Sequence, residues 1–217
     1  MATVETILPP QHFVLSGVRW EAYRELRDAP ENEHARMTYD RGDLEIMSLS
    51  RRHERLADFI GRLVHVWTEE SGIEIESCRS MTMQREDLQR GFEADNCYYV
   101  ANVHLVRGKE ELDFSVDPPP DLAIEIEVSR KAINKMAIYA AFGVPEVWRY
   151  DGQALQAYVL TEEGQYRAQS RSNCFPHLPL AEVERLLGQL NEAGETSLVK
   201  SFRAWVQARA ATSGNSR

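Results

Sequence analysis

The sequence predicts an α/β fold in which helices flank a mixed β-sheet, with a core in the chain order α-β-β-β-α-β. Residues 50–71 carry apolar side chains at helical spacing, whereas residues 121–128 alternate between apolar and acidic side chains, as a strand does. Short extended runs separated by turn residues surround that strand, and a helix follows it at once. A chain that mixes the two periodicities in this way is typical of a sheet covered by helices.

The N-terminal part predicts one helix and one hairpin. Residues 1–15 are expected to be a flexible lead-in, because two consecutive prolines block regular structure. A short helix is expected over residues 17–28, with Ser16 as its cap. Extended runs at 35–39 and 43–47 are joined by a turn that contains glycine, which predicts a β-hairpin.

The longest predicted helix covers residues 50–71. Its apolar side chains recur at i, i+3, i+4 and i+7, and Gly72 stands where a left-handed C-cap is expected. The extended runs that follow are expected at 73–78, 80–84 and 95–101. The polar segment 85–90 is expected to be a loop, and residues 102–117 are less regular.

The remainder predicts a strand, a helix, three strands and two C-terminal helices. These elements are expected at 121–128, 131–142, 146–150, 154–160, 165–170, 180–191 and 197–211. We therefore predict a single domain over residues 16–211, with the N-terminal helix and hairpin and the C-terminal helices added to the core. Residues 212–217 are expected to be a flexible tail.

Composition narrows the class of protein. Hydrophobic residues make up 43% and charged residues 27% of the 217 residues, as in a globular domain. No apolar run approaches the ~18 residues that a membrane span needs, and the first residues lack the features of a secretion signal. The three cysteines are odd in number and widely spaced, which disfavours a disulfide framework. We expect no membrane partner and a cytoplasmic location.

Charge and motif content exclude several functional classes. The net charge of −9 disfavours a protein that coats nucleic acid through bulk electrostatics, although it leaves room for local phosphate contacts. The six histidines show no HxH or HExxH spacing, so a zinc hydrolase is not favoured. The sequence also lacks a glycine-rich phosphate loop and a GxSxG elbow.

The strand over 121–128 carries the clearest chemical signal. Alternation places Asp121, Glu125 and Glu127 on one face, at ~7 Å steps between alternate residues. Buried acidic side chains are usually paired or bound to metal, and carboxylates are the ligands that magnesium prefers. The residues alone leave two interpretations open, a metal site and a solvated acidic face.

Lys135 and Tyr139 form a stripe on the next helix, together with Lys131. A lysine that projects toward the carboxylates could polarise a phosphate, but the pattern alone favours a salt bridge from Lys135 to a strand glutamate. Two upstream acids have simple alternatives as well. Asp95 at a strand beginning is typical of a turn, and Glu54 in a first helical turn favours the helix dipole.

The run Pro120-Asp-Leu-Ala-Ile-Glu-Ile-Glu-Val-Ser129 and the later stretch Tyr139-Ala-Ala-Phe-Gly-Val-Pro-Glu-Val-Trp-Arg-Tyr-Asp-Gly152 closely resemble the Uma-type endonucleases. That family belongs to the PD-(D/E)XK superfamily of restriction-endonuclease-like nucleases. The upstream block Tyr39-Asp-Arg-Gly-Asp-Leu-Glu-Ile-Met-Ser48, with His53 and Glu54, is similar to the same family. The resemblance spans roughly residues 16–190, and it implies an αβββαβ core, which the order of elements predicts independently.

The resemblance implies hydrolysis of phosphodiester bonds in nucleic acid, with DNA as the expected substrate, magnesium (or manganese) as the cofactor and a homodimer as the assembly. Asp95 matches the first aspartate of the motif and Glu125 the D/E position. Glu127 stands where the motif has its lysine, and Lys135 on the next helix takes that role.

The implied metal ligands are Asp95, Glu125, Glu127 and the backbone carbonyl of Ile126. Glu54 matches the helix glutamate that assists metal binding in some relatives, and Asp121 is an alternative for the first aspartate. Tyr139 is a further candidate beside Lys135. Two rival functions remain: a non-catalytic dimeric or nucleic-acid-binding module that keeps the nuclease fold, and a metal-dependent phosphoesterase for small nucleotides.

Overall fold

A computed structural model describes residues 12–48, 50–128 and 132–214 of the chain. The strands are β1 (His12–Leu15), β2 (Ala35–Asp40), β3 (Asp43–Ser48), β4 (Glu76–Ser77), β5 (Thr82–Arg85), β6 (Arg90–Glu93), β7 (Asn96–Tyr99), β8 (Leu122–Ile126), β9 (Glu146–Tyr150), β10 (Leu155–Leu160) and β11 (Tyr166–Gln169). The helices are α1 (Trp20–Asp28), α2 (Arg51–Ser71), α3 (Val103–Val106), α4 (Lys135–Phe142), α5 (Leu180–Gly188) and α6 (Glu195–Gly214), with a 3-10 turn at Pro30–Asn32.

The strands form two sheets. The five-stranded sheet has the order β1-β3-β2-β6-β5, and the six-stranded sheet has the order β11-β10-β9-β8-β7-β4. In the six-stranded sheet β8 and β9 are parallel and the other neighbours are antiparallel, so this sheet is mixed. If β5 and β6 of the other sheet and the short helix α3 are left aside, α2, β4, β7, β8, α4 and β9 come in the order α-β-β-β-α-β, which confirms the predicted core.

The six-stranded sheet is covered on both faces. Leu122, Ile124 and Ile126 of β8 pack into an apolar cluster with α2, α5 and α6. Ala123, on the opposite face of β8, packs into a second cluster with α4, β5 and β6. Every residue of β8 is therefore buried, which is typical of a central strand with helices on both sides.

Helix α2 begins and ends where its sequence signals predict. The Ser50 hydroxyl accepts the N–H of His53 at 3.1 Å, and Gly72 ends the helix with φ 64°. Gly61 lies in its middle, where a Cβ atom would come within 3.2 Å of the Tyr98 hydroxyl. The glycine lets β7 approach the helix closely at the floor of the site described below.

Near the N-terminus the structure corrects two predictions. Residues 12–15, predicted as part of the lead-in, form strand β1 along β3, whereas the rest of the lead-in lies outside the described residues. Helix α1 begins at Trp20 rather than at residue 17, and its N-cap is Arg19 instead of Ser16. The chain turns at Gly17, whose φ of 74° is left-handed, before it can enter the helix.

A strand and a short helix were not predicted. Arg90–Glu93 forms β6, which pairs with β2 and β5, and Val103–Val106 forms α3. Gly91 in β6 is required by packing, because a Cβ atom there would meet the Tyr23 hydroxyl at 2.3 Å. Because glycine is unfavourable in a strand, the sequence of this segment is typical of a loop.

Helix boundaries also differ from the prediction. Helix α4 begins at Lys135, where the Asn134 side chain accepts the N–H of Met136, so the predicted start at residue 131 is wrong as far as the described residues 132–134 show. Lys131 of the predicted stripe lies outside the described residues. Helix α6 continues to Gly214, into the predicted tail. Within the described part of the chain no helix is both long and apolar enough to cross a membrane.

Candidate active site

Glu125 is the central acidic residue of the site. It lies near the end of β8 on the face that is covered by α4, and its exposed fraction is 0%. Burying a carboxylate without compensation is costly, so its partners determine what the site can do. Those partners come from helix α4, which follows β8 in the chain.

Lys135 and Tyr139 hold the Glu125 carboxylate from one turn of α4. The Tyr139 hydroxyl donates to Oε1 at 2.5 Å, and the Lys135 ammonium donates to Oε1 at 3.1 Å and to Oε2 at 3.3 Å. The same ammonium donates to the Glu93 carbonyl at 2.7 Å. Burial, followed by the charge of Glu125, raises the pKa of Tyr139 well above its ordinary value, so the hydroxyl stays a donor.

Asp95 lies between β6 and β7 and reaches the same end of β8. Its Oδ2 accepts the backbone N–H of Ile126 at 2.7 Å, directly after Glu125 in the chain. Asn96 pairs with Ile124 in the antiparallel register of β7 and β8. One residue further along, the same register places Asp95 beside Glu125. The charges of both carboxylates act on the Tyr139 hydroxyl. The structure therefore brings Asp95, Glu125, Lys135 and Tyr139 together.

Glu127 has a different partner. It follows the end of β8, and its carboxylate accepts a hydrogen bond from the Arg149 guanidinium of β9. Its own N–H donates to the Tyr150 carbonyl at 2.8 Å. The contacts of Glu127 among the described residues thus point to β9 rather than to Asp95.

Asp121 has a structural role. The alternative that it takes the place of Asp95 in the site does not agree with its contacts. Its Oδ2 accepts the N–H groups of Val100, Ala101 and Asn102 at 2.7, 2.9 and 3.0 Å, and Oδ1 accepts the Asn102 amide at 2.6 Å. It also lies at the opposite end of β8 from Glu125, four residues away along a strand that rises ~3.3 Å per residue. This carboxylate fastens the turn that precedes α3.

His53 was not predicted as part of the site. Its Nε2 lies 3.0 Å from Asp95 Oδ2, and its side chain is buried in the first turn of α2. Its Nδ1 lies 3.5 Å from Oε1 of Glu54, whose side chain is exposed. Glu54 is thus separated from Asp95 by the imidazole, and the signal that could have found His53 is its place beside Glu54 at the start of α2.

Glu45 is a second residue that the sequence did not single out. It is buried on β3, and its carboxylate accepts the N–H of Ala132 at 2.7 Å and that of Ile133 at 3.3 Å. His12 Nε2 lies 2.5 Å from the same carboxylate. Glu45 therefore fastens the hairpin of the five-stranded sheet to the segment that leads into Lys135.

A cleft beside helix α2 leads to Asp95. This α2 cleft has a volume of about 210 Å³; Glu54 and Gly61 of α2 line it, together with Arg79 and Ser80 from the segment between β4 and β5. Asp95, Asn96 and Tyr98 also line it. A second cavity of about 630 Å³ shares Arg36, Glu54 and Ser80 with it and extends it toward β2.

The oxygen donors at this end of β8 suit a hard divalent cation. Among the described residues no group of three or more His, Cys, Asp or Glu side chains is placed to hold a metal ion. Asp95 and Glu125 supply two buried carboxylates at one strand end. Magnesium commonly binds one or two carboxylates and keeps several waters, so two carboxylates and a carbonyl fit this ion.

Comparison with known proteins agrees with this description. The αβββαβ core is that of the restriction-endonuclease-like nucleases. Residues 20–193 match the model of the family Uma2, described as "Putative restriction endonuclease", and the chain belongs to that family.

Solved structures are similar in fold as well. One of them is the crystal structure of a putative nuclease belonging to DUF820 from Anabaena variabilis ATCC 29413, with a TM-score of 0.52 and 12% sequence identity. The match covers 78% of this chain and 99% of the other. None of the curated proteins compared with this chain matches it.

Proposed function

We propose that this protein is a magnesium-dependent endonuclease that hydrolyses phosphodiester bonds of DNA. One observation carries the proposal: two buried carboxylates, Asp95 and Glu125, meet at the end of β8 with the Lys135 ammonium beside them. Membership of the Uma2 family supports the nuclease class and hence a nucleic-acid substrate.

Asp95, Glu125 and the Ile126 carbonyl would hold the magnesium ion, and manganese fits the same oxygen donors. When bound, the ion lowers the pKa of a water and neutralises charge on the scissile phosphate. Glu127 would join these ligands only by leaving Arg149, so we assign it a place outside the ligand set. Glu54, exposed and on the far side of His53, is assigned to the wall of the α2 cleft.

The side chains around the carboxylates have separate tasks. The Glu93 carbonyl holds the Lys135 ammonium near Glu125, from where it orients a water and stabilises negative charge that develops on the phosphate. Tyr139 fixes the orientation of Glu125 by its hydroxyl. The Ile126 N–H and His53 fix Asp95 in the same way.

The Glu125→Gln variant tests the proposal. Glutamine keeps the size of the side chain and accepts from Tyr139, but it removes the negative charge. We expect plasmid cleavage in magnesium to fall by at least about a thousandfold, with a circular dichroism spectrum like that of the parent. If the variant cleaves DNA as fast as the parent, the assignment is wrong.

Glu146→Gln is the matched control. Glu146 is also a buried glutamate, on the neighbouring strand β9, and it accepts hydrogen bonds from Trp148, Asn173 and Cys174. It makes no contact with Asp95 or Glu125 among those described. We expect this variant to be less stable than the parent. Its folded fraction should cleave DNA at the parent's rate.

The rival function, a non-catalytic module, is favoured by one observation. Lys135 pairs with Glu125 and Arg149 with Glu127, so these carboxylates are compensated by cations of the protein itself. Calorimetric titration with magnesium separates the two functions, because a module without a metal site should bind no tighter than millimolar. A panel of plasmid, single-stranded DNA, RNA and nucleotides then separates an endonuclease from a nucleotide phosphoesterase.

A further inference from the structure

Arg79 has an unusual backbone conformation at the rim of the α2 cleft. It lies in the segment that connects β4 of the six-stranded sheet to β5 of the five-stranded sheet, and its φ is 49°. This left-handed region favours glycine, and a long side chain there is strained. Such conformations persist where the surroundings hold them, and they are frequent at ligand-binding positions.

The neighbouring strand fixes the backbone on both sides of this position. The Cys78 N–H donates to the Cys97 carbonyl at 3.0 Å, and the Cys97 thiol donates to the Arg79 carbonyl at 3.3 Å. Cys97 belongs to β7, two residues after Asp95 in the chain. The strained residue is thus attached to the strand that begins at the candidate active site.

Among the described residues, the guanidinium of Arg79 has no acidic partner, unlike the other arginines of the cleft. Arg36 and Arg62, which also line the α2 cleft, pair with Glu93 and Glu195. Within residues 12–48, 50–128 and 132–214, no carboxylate lies within 4.0 Å of the Arg79 guanidinium, although the residue is exposed. Arg79 and Tyr98 line the same cleft, and the charge of Arg79 opposes the rise that burial produces in the pKa of Tyr98.

We propose that Arg79 binds a phosphate group of the nucleic-acid backbone that lies in the α2 cleft, beside the phosphate at Asp95 and Glu125. The class of ligand rests on the proposed nuclease function. A guanidinium binds phosphate oxygens in a bidentate manner, and it is preferred where that geometry matters. Because the protein has a net charge of −9, attraction for a polyanion has to come from local, uncompensated cations.

Binding without cleavage tests the proposal. Fluorescence anisotropy of a labelled DNA duplex, measured with EDTA over a range of salt concentrations, gives the affinity and its salt dependence. We expect Arg79→Ala to weaken binding about tenfold at low salt and to reduce the salt slope by about one. Arg79→Lys keeps the charge without the planar fork, so it should fall between the parent and Arg79→Ala.

Two further variants exclude an effect through folding. Arg79→Gly relieves the left-handed strain, so its thermal midpoint should rise by a few degrees while binding weakens as in Arg79→Ala. Arg167→Ala removes an exposed arginine from β11, at the opposite edge of the six-stranded sheet from β4, and should bind as the parent does.

The outcomes separate this proposal from the nuclease function. If Arg79→Ala and Arg79→Gly bind the duplex as tightly as the parent, or if the parent does not bind it at all, the proposal is overturned. A parent that binds through Arg79 but cleaves nothing in magnesium refutes the nuclease and leaves the phosphate contact standing. A parent that cleaves, with Arg79 variants of unchanged affinity, refutes the contact alone.

Discussion

Asp121 and Glu125 are buried carboxylates at the two ends of β8, and they are held by different kinds of partner. Asp121 accepts three backbone N–H groups and one side-chain amide, all from the turn at 100–102. Glu125 accepts from the side chains of Lys135 and Tyr139. The backbone N–H groups around Asp121 are fixed by the chain. The Lys135 ammonium and the Tyr139 hydroxyl are on side chains, which can change conformation when a ligand binds.

The partners of a buried carboxylate distinguish a structural from a functional acid within one strand. A carboxylate that satisfies a turn should matter for stability and little for chemistry. A carboxylate with an adjacent lysine should matter for chemistry as well, because the cation that neutralises it in the free protein is available to a phosphate in the complex. The following predictions test this difference, in descending order of effect.

Asp121→Ala should have the largest effect, on stability. The substitution leaves three backbone donors and an amide without their acceptor, and each unsatisfied buried donor costs about 1–3 kcal/mol, so we expect a loss of about 4 kcal/mol. Urea unfolding measures the loss. Cleavage by the folded fraction should equal that of the parent; a folded Asp121→Ala variant without activity would instead make Asp121 part of the site.

Asp151→Ala is the control for that measurement. Asp151 also accepts two backbone N–H groups, from Gln153 and Ala154, but in an exposed turn. Water can replace the lost acceptor there, so the loss should be about 1 kcal/mol or less.

Lys135→Gln should have the next largest effect, mainly on the rate of cleavage. Removing a cation that faces the developing charge lowers kcat by about a hundredfold or more. The single variant also leaves Glu125 buried without its cation, which costs about 3 kcal/mol. The double variant with Glu125→Gln should recover part of that loss, with a coupling of about 1–3 kcal/mol. Additive losses in the urea unfolding of all three variants would contradict the pairing.

Tyr139→Phe should have a smaller effect. The ring keeps its contact with Phe92, at a centroid distance of 4.6 Å, and only the hydrogen bond to Glu125 is lost. A hydrogen bond to a charged group contributes about 1.5–3 kcal/mol to stability. Its loss leaves Glu125 less firmly oriented, and we expect roughly tenfold slower cleavage. Tyr166→Phe is the control, because that hydroxyl donates to the Val144 carbonyl instead. Equal cleavage rates in the two variants would remove Tyr139 from the site.

Local signals explain what the sequence could predict. Helix α2 was predicted to within a residue, because Ser50 and Gly72 mark its ends. Lys135 and Tyr139 could be placed near Glu125 because they lie one turn apart on the helix that follows its strand. The metal ligands and their roles stay predictions.

The parts that escaped prediction depend on contacts between distant segments. His53 meets Asp95 across 42 positions, and Glu45 meets Ala132 across 87. These contacts follow from how the two sheets and α2 pack, and no pattern within a short window carries that information. Strand β6 was missed for a related reason, since Gly91 is there to make room for Tyr23.

Glu127→Gln should have the smallest effect and would settle how far the site extends along β8. The sequence predicted Glu127 as a ligand, whereas its carboxylate is held by Arg149. If Arg149 keeps that carboxylate during catalysis, the charge of Glu127 never reaches the phosphate, and cleavage in magnesium should change by less than about threefold, equivalent to less than about 1 kcal/mol. A loss as large as that of Glu125→Gln would mean that Arg149 releases Glu127 to the metal, and that three carboxylates share the ion.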